Sequence, residues 1–308
     1  MIVPAKNAQD TLARTLAALA AQDLDEPFEV VVVDDGSTDD TGRLARSAPG
    51  PITVLDQAAA GPAQARNLGV ARSTGTALAF CDADVFPDPG WLRTGVAALE
   101  HADVVQGHVL PDPAARLGPF DRTLWITCEA GLYETASLFA TRAIFDRVGG
   151  FEEWLVPRIG KAMAEDVWFG WKARRSGART AFCERALAHH AVFARGGVDY
   201  VAERRRLRYF PAMAAKMPEL RSHFLYRRVF LNRRSAALDL ALAGAAVALA
   251  LRSPLPLLAA EPYRRVVAGR ARPFGSRRAQ VAAADVAADL VGLTSMLRGS
   301  ARYRSVVI

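Results

Sequence analysis

Short apolar runs alternate with stretches of helical hydrophobic spacing over residues 1–100. The run FEVVVVDD is β-branched and uninterrupted, which is typical of a strand buried on both faces. Leu12, Leu16 and Leu19 instead recur at helical spacing, and Asn7 or Asp10 is the predicted cap of that helix. Strands separated by such helices predict a parallel sheet, whose ligands bind at the carboxyl ends of the strands. The predicted strands are MIVPAKN, FEVVVVDD, ITVLD and TALAFCDAD, and the helices between them include GSTDDTGRLAR, capped by Ser37 or Thr38, and GPAQARNLGVARS.

The pattern becomes mixed after Asp103. DVVQGHV, ETASLFA and RTAFCERALAHHAVF are predicted strands, and AMAEDVWFGWKARRSG is an amphipathic helix that Gly177 ends. After Gly197 the chain turns to Arg-rich helices and then to a long apolar stretch. These changes predict a main domain over residues 1–199, with halves 1–100 and 101–199, and a helical tail over residues 200–308.

Four acidic residues follow predicted strands: Asp34, Asp35, Asp82 and Asp84. Asp82 and Asp84 are two residues apart, and in extended chain such side chains point to the same side. Paired carboxylates at a strand end suit a hard divalent cation, either Mg²⁺ or Mn²⁺, whose other sites substrate phosphates can fill. The alternative is a loop start with two solvated aspartates.

The segment VVVVDDGSTDDT brings acceptors and donors together after a buried strand. An acid at Asp34 or Asp35 could accept the imide N–H of a pyrimidine or a ribose hydroxyl. The alternative is a helix cap built from Ser37 with flanking acids. No G-x-G-x-x-G follows the first strand and no P-loop pattern occurs, which argues against a dinucleotide site or a P-loop enzyme.

Composition and charge limit the class of protein without identifying it. With 308 residues, 51% of them apolar, the chain can bury one sizeable core plus an appendage. A net charge of +7 would suit a polyanion, but only four of the 39 basic residues are lysines, a bias we attribute to genome composition. We therefore expect no nucleic-acid partner. The three cysteines form no CxxC pair and the N-terminus lacks a signal-peptide pattern, which predicts a cytoplasmic protein.

Taken together, PAKN, VVVVDDGSTDDT, GPAQARNLGVARSTGTALAFCDAD and AEDVWFGWKARRSG resemble family-2 glycosyltransferases, in order and in spacing. The resemblance covers residues 1–195 and implies an α/β fold of the GT-A type. That fold is a mixed, mostly parallel sheet flanked by helices, here with a helical C-terminal tail. The implied activity is metal-dependent, inverting transfer of a sugar from a UDP-, GDP- or dTDP-sugar to an acceptor hydroxyl.

The resemblance also implies roles for individual residues on the donor side. Asp35, with Asp34, would read the nucleobase, and Asp84 would be the main ligand of a divalent Mn or Mg ion that holds the donor diphosphate. Asp82 would lie by the ribose or the metal. The remaining donor-side residues are Pro4, Lys6 and Asn7 of PAKN, Ser37, and Arg66 and Asn67 of ARN.

Glu165 and Asp166 open the predicted helix AEDVWFGWKARR. The resemblance makes Asp166 the general base that takes the proton from the acceptor hydroxyl, with Glu165 beside it. The alternative is that both acids only favour the helix N-terminus. His189 and His190 follow the next strand, and the resemblance implies that one of them is a further metal ligand. We predict His189, against the alternative of a structural histidine.

The segment ERRRLRYF corresponds to the Q-x-x-R-W motif of processive members but lacks its glutamine and tryptophan. This departure predicts non-processive transfer. Arg208 could still reach the diphosphate, and a solvated or lipid-facing basic helix is the alternative.

Residues 236–251 are apolar apart from Asp239, and Arg252 then interrupts them. A spanning helix needs about 20 apolar residues, so we expect peripheral contact with the inner face of the cell membrane rather than a span. Such contact would suit a lipid-linked acceptor, and a small-molecule acceptor is the alternative. A buried hairpin packed on the main domain is the other interpretation of this stretch.

Two other functions fit part of the pattern. A sugar-1-phosphate nucleotidyltransferase shares the sheet and the metal acids, but VPAKNAQ lacks its Gly-rich loop. A catalytically inactive nucleotide-binding scaffold at the membrane is the second, and it has little need of Asp35, Asp84 and Asp166 together.

Overall fold

The computed structural model describes residues 1–157 and 162–308, and the chain divides into two compact units. The N-terminal unit comprises residues 1–116 and 123–192, and the C-terminal unit comprises residues 117–122 and 193–308.

One eight-stranded sheet organises the N-terminal unit, in the order β3-β2-β1-β4-β7-β6-β8-β5. Neighbours in the run from β3 to β4 are parallel, whereas β7 is antiparallel to both β4 and β6. The sheet is therefore mixed, as predicted. The strands are β1 (Ile2–Ala5), β2 (Val30–Asp34), β3 (Ile52–Asp56), β4 (Ala77–Phe80), β5 (Val85–Pro87), β6 (Val104–Pro111), β7 (Leu138–Thr141) and β8 (Thr180–His190).

Helices and turns connect these strands, and a 3₁₀ turn over Thr135–Ser137 replaces the first half of the strand predicted in ETASLFA. The helices are α1 (Leu12–Ala20), α2 (Thr41–Ser47), α3 (Pro62–Ala71), α4 (Trp91–Ala98), α5 (Arg142–Val148) and α6 (Glu165–Arg175).

Burial explains why β2 reads as a continuous apolar run. All five of its residues are buried, and it pairs in parallel with β1 on one side and β3 on the other. A strand covered on both faces has no solvent side on which polar residues would alternate. Its carboxyl end then delivers Asp34 and Asp35 to the edge of the sheet where a ligand is expected.

The predicted helix caps were wrong because their side chains bond to another loop. The residues before α1 and α2 are Thr11 and Asp40, rather than Asn7 or Asp10 and Ser37 or Thr38. The backbone N–H of Asn7 donates to Ser37 Oγ at 3.0 Å, and Asn7 Oδ1 accepts from the Thr38 N–H at 2.9 Å. The loops after β1 and β2 are thus tied to each other.

The C-terminal unit is helical and has several small cores. One of them joins Phe120 and Tyr200 to Val281 and Ala288. The Tyr200 hydroxyl donates to the buried carboxylate of Asp285 at 3.0 Å. Its helices are α7 (Gly197–Glu203), α8 (Phe210–Lys216), α9 (Leu220–His223), α10 (Arg233–Leu251), α11 (Glu261–Ala271) and α12 (Arg278–Tyr303), with 3₁₀ turns at Arg204–Tyr209, Leu255–Ala260 and Arg272–Arg277.

The helix α10 begins three residues before the apolar stretch 236–251. Asn232 begins it with a capping box, accepting from the N–H groups of Arg234 and Ser235, so that it runs for 19 residues. By length and composition alone, Arg233–Leu251 and the stretch Leu255–Tyr303 could each cross a membrane. Core helices of other proteins pass the same test, so this finding is weak by itself.

Candidate active site

The candidate site lies at the carboxyl ends of β1, β2 and β4, where the loops after these strands carry its polar residues. Asp35 is buried, and its carboxylate accepts from Gln57 Nε2 at 2.7 Å and from the N–H groups of Ala60 and Gly61 at 2.7 and 3.1 Å. Lys6 Nζ lies 3.6 Å from the same carboxylate. Burial disfavours the charged form of Asp35, but these hydrogen bonds outweigh it and hold the pKa below its usual value.

Asp34 is also buried and organises its own turn, since its Oδ1 accepts from the Ser37 N–H at 2.9 Å. Gly42 is required beside it, because a Cβ there would lie 2.5 Å from Asp34 Oδ2. Both acids after β2 therefore hold the loops that surround the site, and this geometry was not visible in the sequence.

Asp82 and Asp84 have different partners, and the chain between them is a turn rather than the extended chain on which the prediction was based. Residues 83 and 84 form a turn, and the Val85 N–H donates back to the Asp82 carbonyl at 3.2 Å. Asp82 therefore faces α3, where Arg66 Nη2 lies 2.8 Å from its Oδ1. Asp84 faces β8, where His190 Nε2 lies 3.6 Å from its Oδ2.

Arg66 is the charged residue at the centre of this arrangement. Its side chain is buried, and besides Asp82 it contacts Glu165, with 3.1 Å between Nη1 and Oε1. The resemblance implied that Arg66 is a donor-side residue. In the structure it joins the acid after β4 to the acid that opens α6, two segments separated by 83 positions.

The N-terminus of α6 presents Asp166 at the edge of this cluster. Trp154 Nε1 donates to the Ala164 carbonyl at 2.9 Å and fixes the entry to the helix, while Asp166 Oδ1 accepts from the Val167 N–H at 2.8 Å. Removal from water and the charge of Glu165 raise the pKa of Asp166 well above its usual value. A carboxylate of raised pKa is a competent proton acceptor.

The structure places His190, rather than the predicted His189, beside Asp84. The antiparallel pairing of β5 with β8 sets His190 opposite Val85, one residue from Asp84. His189 points elsewhere: its Nε2 lies 3.2 Å from Asp88, and its Nδ1 lies 3.3 Å from the Pro111 carbonyl. Neighbouring strand residues face opposite sides, so only one of the two imidazoles can share a face with Asp84.

Asn67 holds the backbone rather than facing a ligand. Its amide donates to the Phe151 carbonyl at 2.8 Å and accepts from the Phe151 N–H at 2.9 Å. Pro4 lies within β1, in register with Val33. Arg208 belongs to the C-terminal unit, where its Nε donates to the Arg205 carbonyl at 3.1 Å.

Sequence reasoning missed Glu134, which lies directly before the 3₁₀ turn of residues 135–137. Burial raises the pKa of Glu134 to about 7, and its charge in turn raises the pKa of Asp166. Its only signal in the sequence is an acid shortly before an apolar strand, which by itself predicts nothing.

In the described part of the chain, side chains that could bind a metal ion come together at most in pairs. Within residues 1–157 and 162–308, no three His, Cys, Asp or Glu side chains are grouped so that they could hold a metal ion. Asp84 and His190 form a pair of suitable donor types, one carboxylate and one imidazole. A divalent ion would fit these two residues if other oxygens completed its shell.

A mixed sheet with acids at its carboxyl edge and a helical C-terminal region is the architecture of the GT-A fold. Two solved structures share it: TarS of S. aureus, residues 1–349, in complex with UDP, and the mannosyltransferase PcManGT of Pyrobaculum calidifontis in complex with GDP-Man and Mn²⁺. TarS matches with a TM-score of 0.52 and 19% identity, over 99% of this chain and 91% of that one. PcManGT matches with a TM-score of 0.57 and 22% identity, over 95% and 86%. At these identities the likeness concerns the fold.

Residues 1–146 match the model of glycosyl transferase family 2. Among curated relatives, the succinoglycan biosynthesis protein ExoU of Rhizobium meliloti is 45% identical over 96 residues, 30% of this chain and 28% of its own length. The glycosyltransferase AglE of Haloferax volcanii is 29% identical over 171 residues, 51% of this chain and 56% of its own. The chain thus spans between about a quarter and three fifths of these relatives.

Proposed function

We propose that this protein transfers a sugar from a nucleoside-diphosphate donor to an acceptor hydroxyl, with inversion, metal dependence and a single sugar added per acceptor. The observation that carries the proposal is the ion-pair chain Asp82–Arg66–Glu165, which joins the acids after β4 to the helix that bears Asp166. This chain of ion pairs would hold the proposed leaving-group site and the proposed proton acceptor together. Solved proteins of this fold carry UDP or GDP-Man, which supports a nucleotide-sugar donor.

Asp166 is the proposed general base. Its raised pKa suits proton transfer, because a weakly basic aspartate would take little of the proton in the transition state. The acceptor oxygen attacks the anomeric carbon and forms the new C–O bond, while the bond to the diphosphate oxygen breaks. The acceptor proton goes to Asp166, and the nucleoside diphosphate leaves with the bonding pair.

Glu165 and Arg66 are proposed positioning residues. The guanidinium of Arg66 pairs with the carboxylates of both Glu165 and Asp82 at hydrogen-bond distance. Asp166, one position further along α6, lies beside this pair, and its removal from water together with the charge of Glu165 raises its pKa. The neighbouring acids thus have different tasks because only one of them contacts the arginine.

Asp84 and His190 are the residues that would hold a Mn or Mg ion, and PcManGT, solved with Mn²⁺, supports such an ion in this fold. When bound, the ion would neutralise negative charge on the departing diphosphate. Lys6 lies at the same edge of the sheet, and Asp35 holds its ammonium there at 3.6 Å.

The acceptor is proposed to be lipid-linked or a small molecule. The protein would then work in the cytoplasm, peripherally on the inner face of the cell membrane. The exposed leucines of the C-terminal unit support contact with lipid.

Calorimetric titration of UDP, GDP and dTDP, with and without Mn²⁺, tests the donor site. We expect Mn²⁺-dependent binding of one nucleotide by the wild-type protein, reduced at least tenfold in Asp84→Ala. Asp88→Ala is the matched control, because Asp88 is a nearby acid that contacts His189 instead of His190.

The same titration with His190→Ala and His189→Ala separates the two imidazoles. Loss of Mn²⁺-dependent binding only in His190→Ala supports the Asp84–His190 pair, and loss only in His189→Ala contradicts it. If the wild-type protein binds none of the three nucleotides under either condition, the transferase proposal is wrong.

A further inference from the structure

The surface of the C-terminal unit reverses the usual arrangement of apolar side chains. In α10, only two of 19 residues, Leu238 and Gly244, are buried. A helix that is apolar on nearly all sides normally lies in a protein core or in lipid. The 3₁₀ turn Leu255–Ala260 that follows continues the exposed surface. The exposed large residues are Leu240, Leu242, Val247, Leu249 and Leu251 of α10 and Leu255, Leu257 and Leu258 of the turn.

The two segments pack against each other and form one surface. A Cβ on Gly244 would lie 2.5 Å from the Pro256 carbonyl oxygen and 2.8 Å from Ala259 Cβ, so the glycine permits the close approach. We call the exposed apolar faces of residues 240–251 and 255–260 the leucine face. Since contiguous exposed apolar surface is rare on soluble proteins, this face requires an apolar partner.

Positive charge borders the leucine face. Between positions 252 and 280 the chain has seven arginines and one acidic residue, Glu261. Arg264 and Arg265 share that glutamate, with 2.6 and 2.7 Å between their Nε atoms and its oxygens. Both arginines belong to the first two turns of α11, which begins directly after the leucine face ends.

A groove of about 640 Å³ between α11 and α12 collects four of these arginines over a floor of small residues. Arg264, Arg265, Arg272 and Arg278 line it, and Ala268, Gly269 and Ala282 form part of its floor. Guanidinium groups bind phosphate oxygens in pairs of hydrogen bonds. The chemistry of the groove therefore matches phosphate head groups, and α11, which lines it, directly follows the face that matches acyl chains.

From these observations we propose that an anionic lipid bilayer is the partner of this surface, with the leucine face immersed at the head-group boundary and the arginine groove on lipid phosphates. The proposal deepens the membrane contact under the proposed function and rests on it. The helix would lie along the interface rather than cross the bilayer, because Arg252 stands between the two leucine segments, where its long side chain can reach the head groups.

Vesicle flotation with the full chain tests the proposal, using phosphatidylcholine alone and phosphatidylcholine with phosphatidylglycerol. We expect strong binding to the anionic vesicles and weaker binding to the neutral ones. Leu249→Ser with Leu255→Ser and Leu258→Ser should reduce binding to both at least tenfold. Arg272→Gln with Arg278→Gln should lose about fivefold per arginine on anionic vesicles only.

Two control variants change exposed residues that lie outside the leucine face and the groove. Val198→Ser removes an exposed apolar side chain from α7, and Arg72→Gln with Arg147→Gln removes two exposed charges from the N-terminal unit. We expect both to bind like the wild-type protein. If either control loses as much binding as its counterpart, non-specific attraction explains the result and the proposal is overturned.

Two further outcomes distinguish the alternatives. If the wild-type protein does not float but is a dimer by light scattering, and the triple leucine variant is a monomer, a second copy covers the leucine face and the proposal is wrong. Nucleotide titration of the same preparations separates this inference from the catalytic one. Normal nucleotide binding without vesicle binding contradicts only the lipid surface, and the converse contradicts only the donor site.

Discussion

The two units of this protein break the ordinary rule of burial in opposite directions. In the N-terminal unit, Arg66 and Glu165 are charged and buried, whereas in the C-terminal unit Leu255 and Leu258 are apolar and more than 70% exposed. Burying charge and exposing leucine both cost free energy in the isolated chain. The first departure fits the proposed charged donor, and the second fits the proposed lipid partner.

The largest effect is expected on turnover, when the proposed general base of the N-terminal unit is replaced. Asp166→Asn keeps the shape of the side chain but cannot accept a proton, so turnover of the donor should fall about 10³-fold, while nucleotide affinity changes less than twofold. Release of nucleoside diphosphate measures turnover, and calorimetry measures affinity. Asp146→Asn, at an exposed acid of α5, should leave both unchanged.

The dependence of turnover on pH tests the same role of Asp166. The base acts only when deprotonated, so turnover should fall as the pH decreases through the raised pKa of Asp166, at a pH well above the usual aspartate value of about 3.9. Turnover that persists to the usual aspartate value, or an Asp166→Asn protein with full activity, would assign the proton to another group.

Arg66→Gln should produce the next largest effect, on stability. Removing the guanidinium leaves Asp82 and Glu165 without their shared cation, and breaking a buried ion pair costs about 3 kcal/mol in the free energy of unfolding. Urea unfolding measures this difference. Arg93→Gln is the control, since the Arg93–Asp23 pair is exposed and should contribute less than about 1 kcal/mol. Equal costs for the two variants would mean that the Asp82–Arg66–Glu165 chain is not a buried charge network.

Glu134 should make stability depend on pH in a direction opposite to that of most acids. Its pKa of about 7 in the folded chain exceeds the ordinary 4.5, so the folded state binds the proton more tightly between these values. The free energy of unfolding should therefore decrease as the pH rises through this window, by about 1–2 kcal/mol, allowing for the solvent contact of a half-buried group.

Glu134→Gln removes this dependence. Urea unfolding at pH 5 and pH 8 should show a smaller decrease for Glu134→Gln than for the wild-type protein, whereas Glu100→Gln, at an exposed position, should behave like the wild type. A variant that follows the wild-type pH dependence would mean that Glu134 is well solvated in the folded chain.

Much of the fold could be predicted because its signals are local. The β-branched run of β2 and the spacing of Leu12, Leu16 and Leu19 in α1 each depend on neighbours within one element. The acids at the carboxyl edge follow from the same reasoning, since parallel strands end together. The caps of α1 and α2 were not predictable, because Asn7 and Ser37 bond to each other across 30 positions.

The directions of the side chains in the site also could not be predicted from the sequence. Whether Asp82 and Asp84 share a side depends on a turn at residues 83 and 84, and the choice between His189 and His190 depends on how β8 pairs with β5. Roles assigned to Asp35, Arg66 and Asp166 from the resemblance stay predictions. What the structure adds is which of these groups are in contact, and so which variants should act together.

The smallest effect is expected on the stability of the C-terminal unit, when an exposed leucine is replaced. Leu258→Ala should change the free energy of unfolding by less than about 0.5 kcal/mol, because the side chain is 73% exposed. Leu220→Ala, at a fully buried leucine of the same unit, should cost about 3 kcal/mol. Urea unfolding without lipid compares them directly. A cost for Leu258→Ala close to that of Leu220→Ala would mean that the leucine face is covered in the isolated protein, and the need for a lipid partner would disappear with it.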